Sequence, residues 1–108
     1  MTSESKPPAA SAELMAKVFR GRLHVRFEKM QEVLALCRAN PADDANWREL
    51  QRLLQVLAEA AGVFGCDTLG EQAGLIELLL ADMLAERARS QSDIDDIARL
   101  LALLQDRV

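Results

Sequence analysis

Apolar residues recur at steps of three and four along most of the chain, which is the spacing of one face of an α-helix. The first such stripe consists of Phe19, Leu23, Phe27, Met30, Leu34 and Cys37. Gly21 interrupts it, so we expect a short first helix that is kinked against, or separated from, a longer second one. Ser11 is the predicted N-cap of the first helix. Residues 1–10 are polar and contain two adjacent prolines, and they are predicted to form a disordered tail.

Three further stripes follow, each bounded by residues that start or stop helices. They consist of Trp47, Leu50, Leu54, Leu57, Ala61 and Phe64; of Leu69, Ala73, Ile76, Leu80 and Met83; and of Ile94, Ile97, Leu101, Leu104 and Val108. Pro41 ends the preceding helix, and Asp43, Asp44 or Asn46 is the expected N-cap of the next. Gly65 is suited to a left-handed C-terminal cap.

The last two helices have their own start signals. Asp67 or Thr68 is expected to begin one of them, and Ser92 with Asp95 resembles a capping box for the other. No strand-like alternation interrupts the four stripes, and the connectors are short. The sequence therefore predicts an all-α protein, an antiparallel up-down four-helix bundle that occupies residues 11–108.

Length and charge narrow the class of protein. A chain of 108 residues forms one domain. Its net charge of −4 makes a nucleic-acid-binding surface unexpected. The first residues have no apolar signal-peptide core, and the longest uncharged apolar run, residues 60–66, is too short to span a bilayer. We expect a soluble cytoplasmic protein that does not bind membranes.

The residues that usually carry catalysis or bind metals are few. The chain has one histidine, and its two cysteines, Cys37 and Cys66, form no CxxC pair. We expect both to be buried free thiols, and we expect no metal site and no cofactor. Neither a catalytic triad motif nor a phosphate-binding loop is present, so the sequence does not indicate an enzyme.

One polar helix face stands out. At about 100° per residue, Gln55 points about 130° away from the centre of the stripe from Trp47 to Phe64, and Glu59 points about opposite to that centre. The same outward half carries Arg48, Gln51, Arg52 and Gly62, with Ala58 at its border. A solvated helix face is the ordinary interpretation. Gly62 favours a specific role for this face, because glycine inside a helix costs about 1 kcal/mol relative to alanine. A residue without a side chain lets another backbone or a partner approach closely. Gly62 indicates either tight helix packing or a shallow docking surface.

The segment from Leu53 to Glu77, LLQVLAEAAGVFGCDTLGEQAGLIE, resembles the core motif of histidine phosphotransfer (HPt) domains. In that motif a histidine is followed by x-Leu-(Lys/Ala)-Gly-x-Ala-Gly-x-Phe-Gly, and then by a Leu, an Ala and an Ile/Leu-Glu pair. The matching residues are Leu57, Ala58, Ala61, Gly62, Phe64, Gly65, Leu69, Ala73, Ile76 and Glu77. The resemblance extends over about residues 12–106 and implies an HPt-like bundle that acts in two-component phosphorelay signalling.

The departures from the motif fall at the positions that would carry the phosphotransfer chemistry. Gln55 occupies the position of the phospho-acceptor histidine, and an amide is not a useful nucleophile because its nitrogen lone pair is delocalised. Glu59 replaces a small glycine of the family, and Ala58 stands where a basic residue is frequent. His24 lies in the preceding helix, where nothing matches the motif. The resemblance therefore implies a pseudo-HPt protein that is not itself phosphorylated.

A receiver domain of a response regulator, or a histidine kinase, is the partner that the resemblance implies. Its predicted docking surface consists of Arg48, Gln51, Arg52, Gln55, Ala58, Glu59 and Gly62. One alternative is an active HPt protein whose histidine at position 55 was replaced by design, although Glu59 argues against it. Another is a purely structural or oligomerising bundle. In an oligomer, the contact between subunits would be formed by Leu75, Leu78, Leu84 and Leu103. These leucines otherwise widen the core of a monomer, which is the expected state.

Overall fold

The computed structural model describes residues 9–86 and 89–107. This part of the chain forms five helices and no strand: α1 (Ala9–Gly21), α2 (Leu23–Ala39), α3 (Asp44–Val63), α4 (Asp67–Ala85) and α5 (Gln91–Asp106). Helices α2 to α5 pack as a four-helix bundle, in which α3 and α4 share the most extensive contact and α2 and α5 close the ring. The predicted all-α antiparallel bundle is confirmed.

The core is built from the four predicted stripes. Every stripe residue that the structure describes is buried except Phe64, which is half-buried, and Val33 of α2 joins them. Val108 lies outside the described residues. No polar or charged residue is buried within the described ranges. The bundle is therefore held together by aliphatic and aromatic packing, as expected for helices with one apolar face.

The helix break predicted at Gly21 is confirmed, and α1 and α2 meet at Arg22. Among the helices, α1 contacts α2 alone. Its main anchor is Phe19, whose ring stacks on Phe64 with the ring centroids 5.1 Å apart. Ser11 is not the N-cap, because α1 already begins at Ala9.

Residues 1–8, which make up most of the predicted disordered tail, lie outside the described residues. The predicted domain boundary at residue 11 falls inside α1, two residues after its start.

The starts of α3 and α5 are fixed by side-chain caps. Asp43 caps α3, since its Oδ1 accepts a hydrogen bond of 3.0 Å from the Ala45 amide. For α5 the predicted cap was wrong. Ser90, not Ser92, is the N-cap, and its Oγ accepts from the Asp93 amide at 3.0 Å. The carboxylate of Asp95 instead accepts a hydrogen bond of 2.9 Å from the side-chain amide of Gln91.

A tight turn reverses the chain between α3 and α4. Gly65 has a φ of 78°, a left-handed conformation that glycine adopts without strain. The Cys66 amide donates to the Ala61 carbonyl at 2.7 Å, and the Gly65 amide donates to the Gly62 carbonyl at 3.3 Å. This pair of bonds is a Schellman motif, and it confirms the predicted cap at Gly65. The helix α4 then begins at Asp67, one of the two predicted starts.

Within the described ranges, none of the helices combines the length and the apolar character needed to cross a membrane.

Candidate functional site

Helix α3 presents the predicted docking surface on its outer side. Gln55 and Glu59, one helical turn apart, are both exposed, as are Arg48, Arg52 and Gly62. Gln51 and Ala58 are half-buried and lie toward α4. We call these seven residues the α3 face. It stays on the outside because the buried stripe of α3 occupies the opposite side of the helix.

A polar contact joins the α3 face to the next helix. The side-chain amide of Gln51 donates a hydrogen bond of 3.0 Å to Glu77 Oε2 on α4. Both residues are half-buried, so the bond is partly shielded from competing water. Gln51 is thereby held toward α4, and Glu77 becomes part of the surface beside α3.

The close approach of the two helices takes place at Gly70 of α4. A Cβ at Gly70 would lie 3.1 Å from the Ala58 carbonyl oxygen and 3.7 Å from the Gly62 amide nitrogen. A Cβ at Gly62 would meet no atom within 4 Å. Gly62 is therefore an open position on the α3 face, and Gly70 is the glycine that tight packing requires.

The contacts between Gln51 and Glu77 and between Ala58 and Gly70 lie on either side of Gln55. Because α3 and α4 run antiparallel, this register places Gly74 at about the level of Gln55 along the helix pair. Gly74 is half-buried, and a Cβ there would also meet no atom within 4 Å. The exposed Gln55 of α3 and the open glycine of α4 thus lie at about the same level of the helix pair.

The two arginines of the α3 face differ in their pairing. Arg52 donates twice to the Glu49 carboxylate, from Nε at 3.0 Å and from an Nη at 2.7 Å. This hydrogen-bonded cation lowers the pKa of Glu49, and the carboxylate raises the pKa of Arg52. Arg48 forms no ion pair with any residue in the described ranges. The positive charge of Arg52 is therefore largely offset by Glu49, and Arg48 is the more available cation.

The remaining reactive side chains lie elsewhere. Cys37 is fully buried in α2, and burial raises the pKa of its thiol to about 11. Cys66 is also a free thiol but is only half-buried, so the expectation of two buried thiols holds for Cys37 alone. His24 is exposed, and its Nδ1–H donates to the Gly21 carbonyl at 3.2 Å. No group of His, Cys, Asp and Glu residues in the described ranges is arranged to hold a metal ion.

Helix α4 supplies the residues that the predicted surface lacked. Gly70, Gly74 and Glu77 lie on the side of α4 that faces α3. The signal that could have found them is the spacing of Gly70 and Gly74, four residues apart on one helix face. The surface is thus shared by two helices, whereas the sequence predicted it on α3 alone.

Comparison with known proteins gives no relative: the chain has no significant match to a protein-family model, a curated protein or a solved structure.

Proposed function

We propose that this protein is a pseudo-HPt: a phosphotransfer-like bundle that cannot carry phosphate and that binds a receiver domain or a histidine kinase to modulate phosphotransfer. The observation that carries the proposal is the exposure of Gln55 on the outer side of α3. This is the position at which the HPt-like motif places its phospho-acceptor histidine. The antiparallel bundle and the Gly65 turn agree with the resemblance.

The chemistry of position 55 supports the loss of phosphorylation. A neutral imidazole has a ring nitrogen with a free lone pair near neutral pH, and this nitrogen can attack a phosphoryl group. The Gln55 amide has no such lone pair. The carboxylate of Glu59 lies one turn away on the same exposed side and repels an approaching phosphate. Both features favour binding over phosphoryl transfer.

The surface around Gln55 supports docking. At Gly62 and at Gly74 the space that a side chain would occupy is open, so a partner can approach the helix backbones closely there. The Gln55 amide can both donate and accept hydrogen bonds, and it is similar in reach to an imidazole. A docking surface can persist without the nucleophile because binding and chemistry depend on different side chains. Since these partners signal in the cytoplasm, we place the protein there.

A binding experiment with receiver domains and the kinase domains of the same host tests the proposal. Wild-type protein is expected to bind at least one of them. Gly62→Arg should weaken that binding at least about tenfold, because a long cationic side chain would cover the open part of the α3 face. Ala102→Arg is the matched control, since Ala102 is exposed on α5, a helix that packs beside α4 and α2. Absence of any binding partner, or equal effects of the two variants, would refute the proposal.

Restoring the histidine separates this proposal from its alternative. Wild-type protein should acquire no acid-labile phosphate from a phosphorylated receiver domain that binds it. Gln55→His should acquire little, because Glu59 remains beside the acceptor, and Gln55→His combined with Glu59→Gly should acquire more. Strong labelling of the single variant would instead favour an active HPt protein whose histidine was replaced.

The charge of Glu59 also predicts which state of the receiver is preferred. Two anions repel weakly across a wet interface, so a receiver that carries a phosphate mimic on its aspartate should bind a few-fold more weakly than the unmodified receiver. Glu59→Gln should abolish the difference. Tighter binding to the mimic by wild-type protein would contradict this role of Glu59.

A further inference from the structure

An apolar groove runs between α4 and α5, on the flank of α4 that faces away from α3. It encloses about 450 Å³ and is open to solvent along its length. Four leucines at the groove are unusually exposed for residues of this type. They are Leu75 at 61%, Leu78 at 60%, Leu79 at 45% and Leu103 at 48%. Leu84, which the sequence grouped with them, is half-buried against the core. The groove is therefore a continuous apolar surface, of the kind that marks an interface.

The groove carries opposite charges at its two ends. Asp82 lines the end near the C-terminus of α4, and Arg107 lines the end near the C-terminus of α5. Because α4 and α5 are antiparallel, these ends are opposite. Neither residue forms an ion pair with another residue of the described ranges. The surface is thus apolar in its middle, acidic at one end and basic at the other.

We propose that two copies of this chain associate through the α4–α5 groove to form a symmetric dimer. A two-fold axis that lies in the interface and runs across the groove would reverse one copy relative to the other. The acidic end of each groove would then cover the basic end of its partner, so that Asp82 of each copy approaches Arg107 of the other. A two-fold axis along the groove would instead bring Asp82 toward Asp82. Charge complementarity selects the first arrangement, and a symmetric dimer closes without forming filaments.

The dimer leaves the α3 face free. On α4, Gly70 and Glu77 contact α3, whereas Leu75 and Leu79 line the groove on the opposite flank. Dimerisation would therefore present two copies of the Gln55 surface, one on each subunit. The proposal does not depend on what binds there.

Sedimentation of the full chain over a range from submicromolar to tens of micromolar tests the dimer. Wild-type protein is expected to change from monomer to dimer as its concentration rises. Leu75→Glu should weaken self-association at least about 100-fold, because the buried charge occurs twice in a symmetric interface. Leu36→Glu is the matched control: Leu36 is 55% exposed, close to the 61% of Leu75, but lies on α2. It should leave the dimer intact.

A charge exchange distinguishes the arrangement of the subunits from general stickiness. Asp82→Arg and Arg107→Asp should each weaken the dimer several-fold, and the double variant should recover most of the loss because it recreates both ion pairs with reversed sign. Circular dichroism should show the same helix content for all variants.

Three results would overturn the proposal. The first is a wild-type protein that stays monomeric over the whole concentration range. The second is a double variant that associates no more tightly than the single ones. The third is association that Leu14→Glu abolishes and Leu75→Glu does not affect, since this would place the contact on the exposed apolar side of α1.

Discussion

Gly70 and Gly74 occupy the same side of α4, one turn apart, yet they have different structural roles. At Gly70 the α3 backbone fills the space that a side chain would take, with the Ala58 carbonyl oxygen 3.1 Å from the site of a Cβ. At Gly74 that space is empty. One glycine is required by packing, whereas the other only weakens the helix.

Alanine substitutions at these two positions should therefore differ in their effect on the free energy of unfolding. Gly74→Ala should stabilise the protein by about 0.5–1 kcal/mol, because alanine restricts the unfolded chain and meets no obstacle in the helix. Gly70→Ala should be less stable than Gly74→Ala by at least about 1 kcal/mol, since the two helices must separate slightly. Urea denaturation followed by circular dichroism measures both values. Equal stabilities would contradict the assigned roles.

The thiol of Cys37 predicts a pH dependence. Burial raises its pKa from 9.0 to about 11, so the folded protein retains the proton at pH values where the unfolded chain releases it. This contribution to stability is complete below pH 9 and is lost as the pH rises from 9 to about 11. Over that window the free energy of unfolding of wild-type protein should fall more steeply than that of Cys37→Ala. A steeper fall in Cys37→Ala would have the wrong sign.

For each helix, apolar periodicity predicts which residues are buried better than it predicts the residue at which the helix begins. The stripe residues of α2 to α5 are buried because a single repeat of 3.6 residues determines which side of each helix faces the core. The start of α5 was misplaced because the segment SQSDIDD contains two overlapping capping patterns. Ser90 with Asp93 and Ser92 with Asp95 have the same spacing, and local sequence does not choose between them.

The two serines provide a direct test of this cap. Ser90→Ala should destabilise the protein by about 1 kcal/mol, because it leaves the Asp93 amide without its acceptor. Ser92→Ala should change stability by less than about 0.3 kcal/mol, since alanine is a better helix former and no cap is lost. Thermal unfolding of the pair measures the difference. A larger loss of stability for Ser92→Ala than for Ser90→Ala would instead support the capping box of Ser92 and Asp95 that the sequence predicted.

Across the whole molecule, the sequence predicts the α3 half of the candidate site, whereas for the α4 half it shows only the spacing of Gly70 and Gly74 and not the helix that they face. Gln55 and Glu59 are found by counting along one helix. The level of Gly74 relative to them depends on the register between α3 and α4, in which the Gly65 turn connects the helices and Gly70 makes the close contact. The charged ends of the α4–α5 groove depend in the same way on how two helices are placed. Sequence patterns describe each helix alone, and surfaces shared by two helices require the fold.

The unequal packing of the helices predicts unequal protection against hydrogen exchange. α3 contacts both α2 and α4, whereas α1 is held only by α2 and by the stacking of Phe19 on Phe64, and it leaves Leu14 at 61% and Met15 at 54% exposed. Amides of α1 should therefore exchange at least about 100-fold faster than those of α3. Phe64→Ala should accelerate exchange in α1 further by removing the ring that stacks on Phe19. Val63→Ala, a change at a residue that is 79% exposed, should not. Uniform protection of α1 and α3 would refute this.

The burial of Trp47 makes it possible to observe the detachment of α1 separately from global unfolding. It is the only tryptophan of a chain without tyrosine, it is fully buried, and its indole N–H donates to the Pro41 carbonyl at 2.9 Å. Near-ultraviolet fluorescence therefore arises almost entirely from one ring, at the end of the bundle opposite to α1. Detachment of α1 would make the ellipticity at 222 nm less negative, because helix is lost, while the emission maximum of Trp47 stays blue-shifted. Two optical signals of one sample would thus separate local opening from global unfolding.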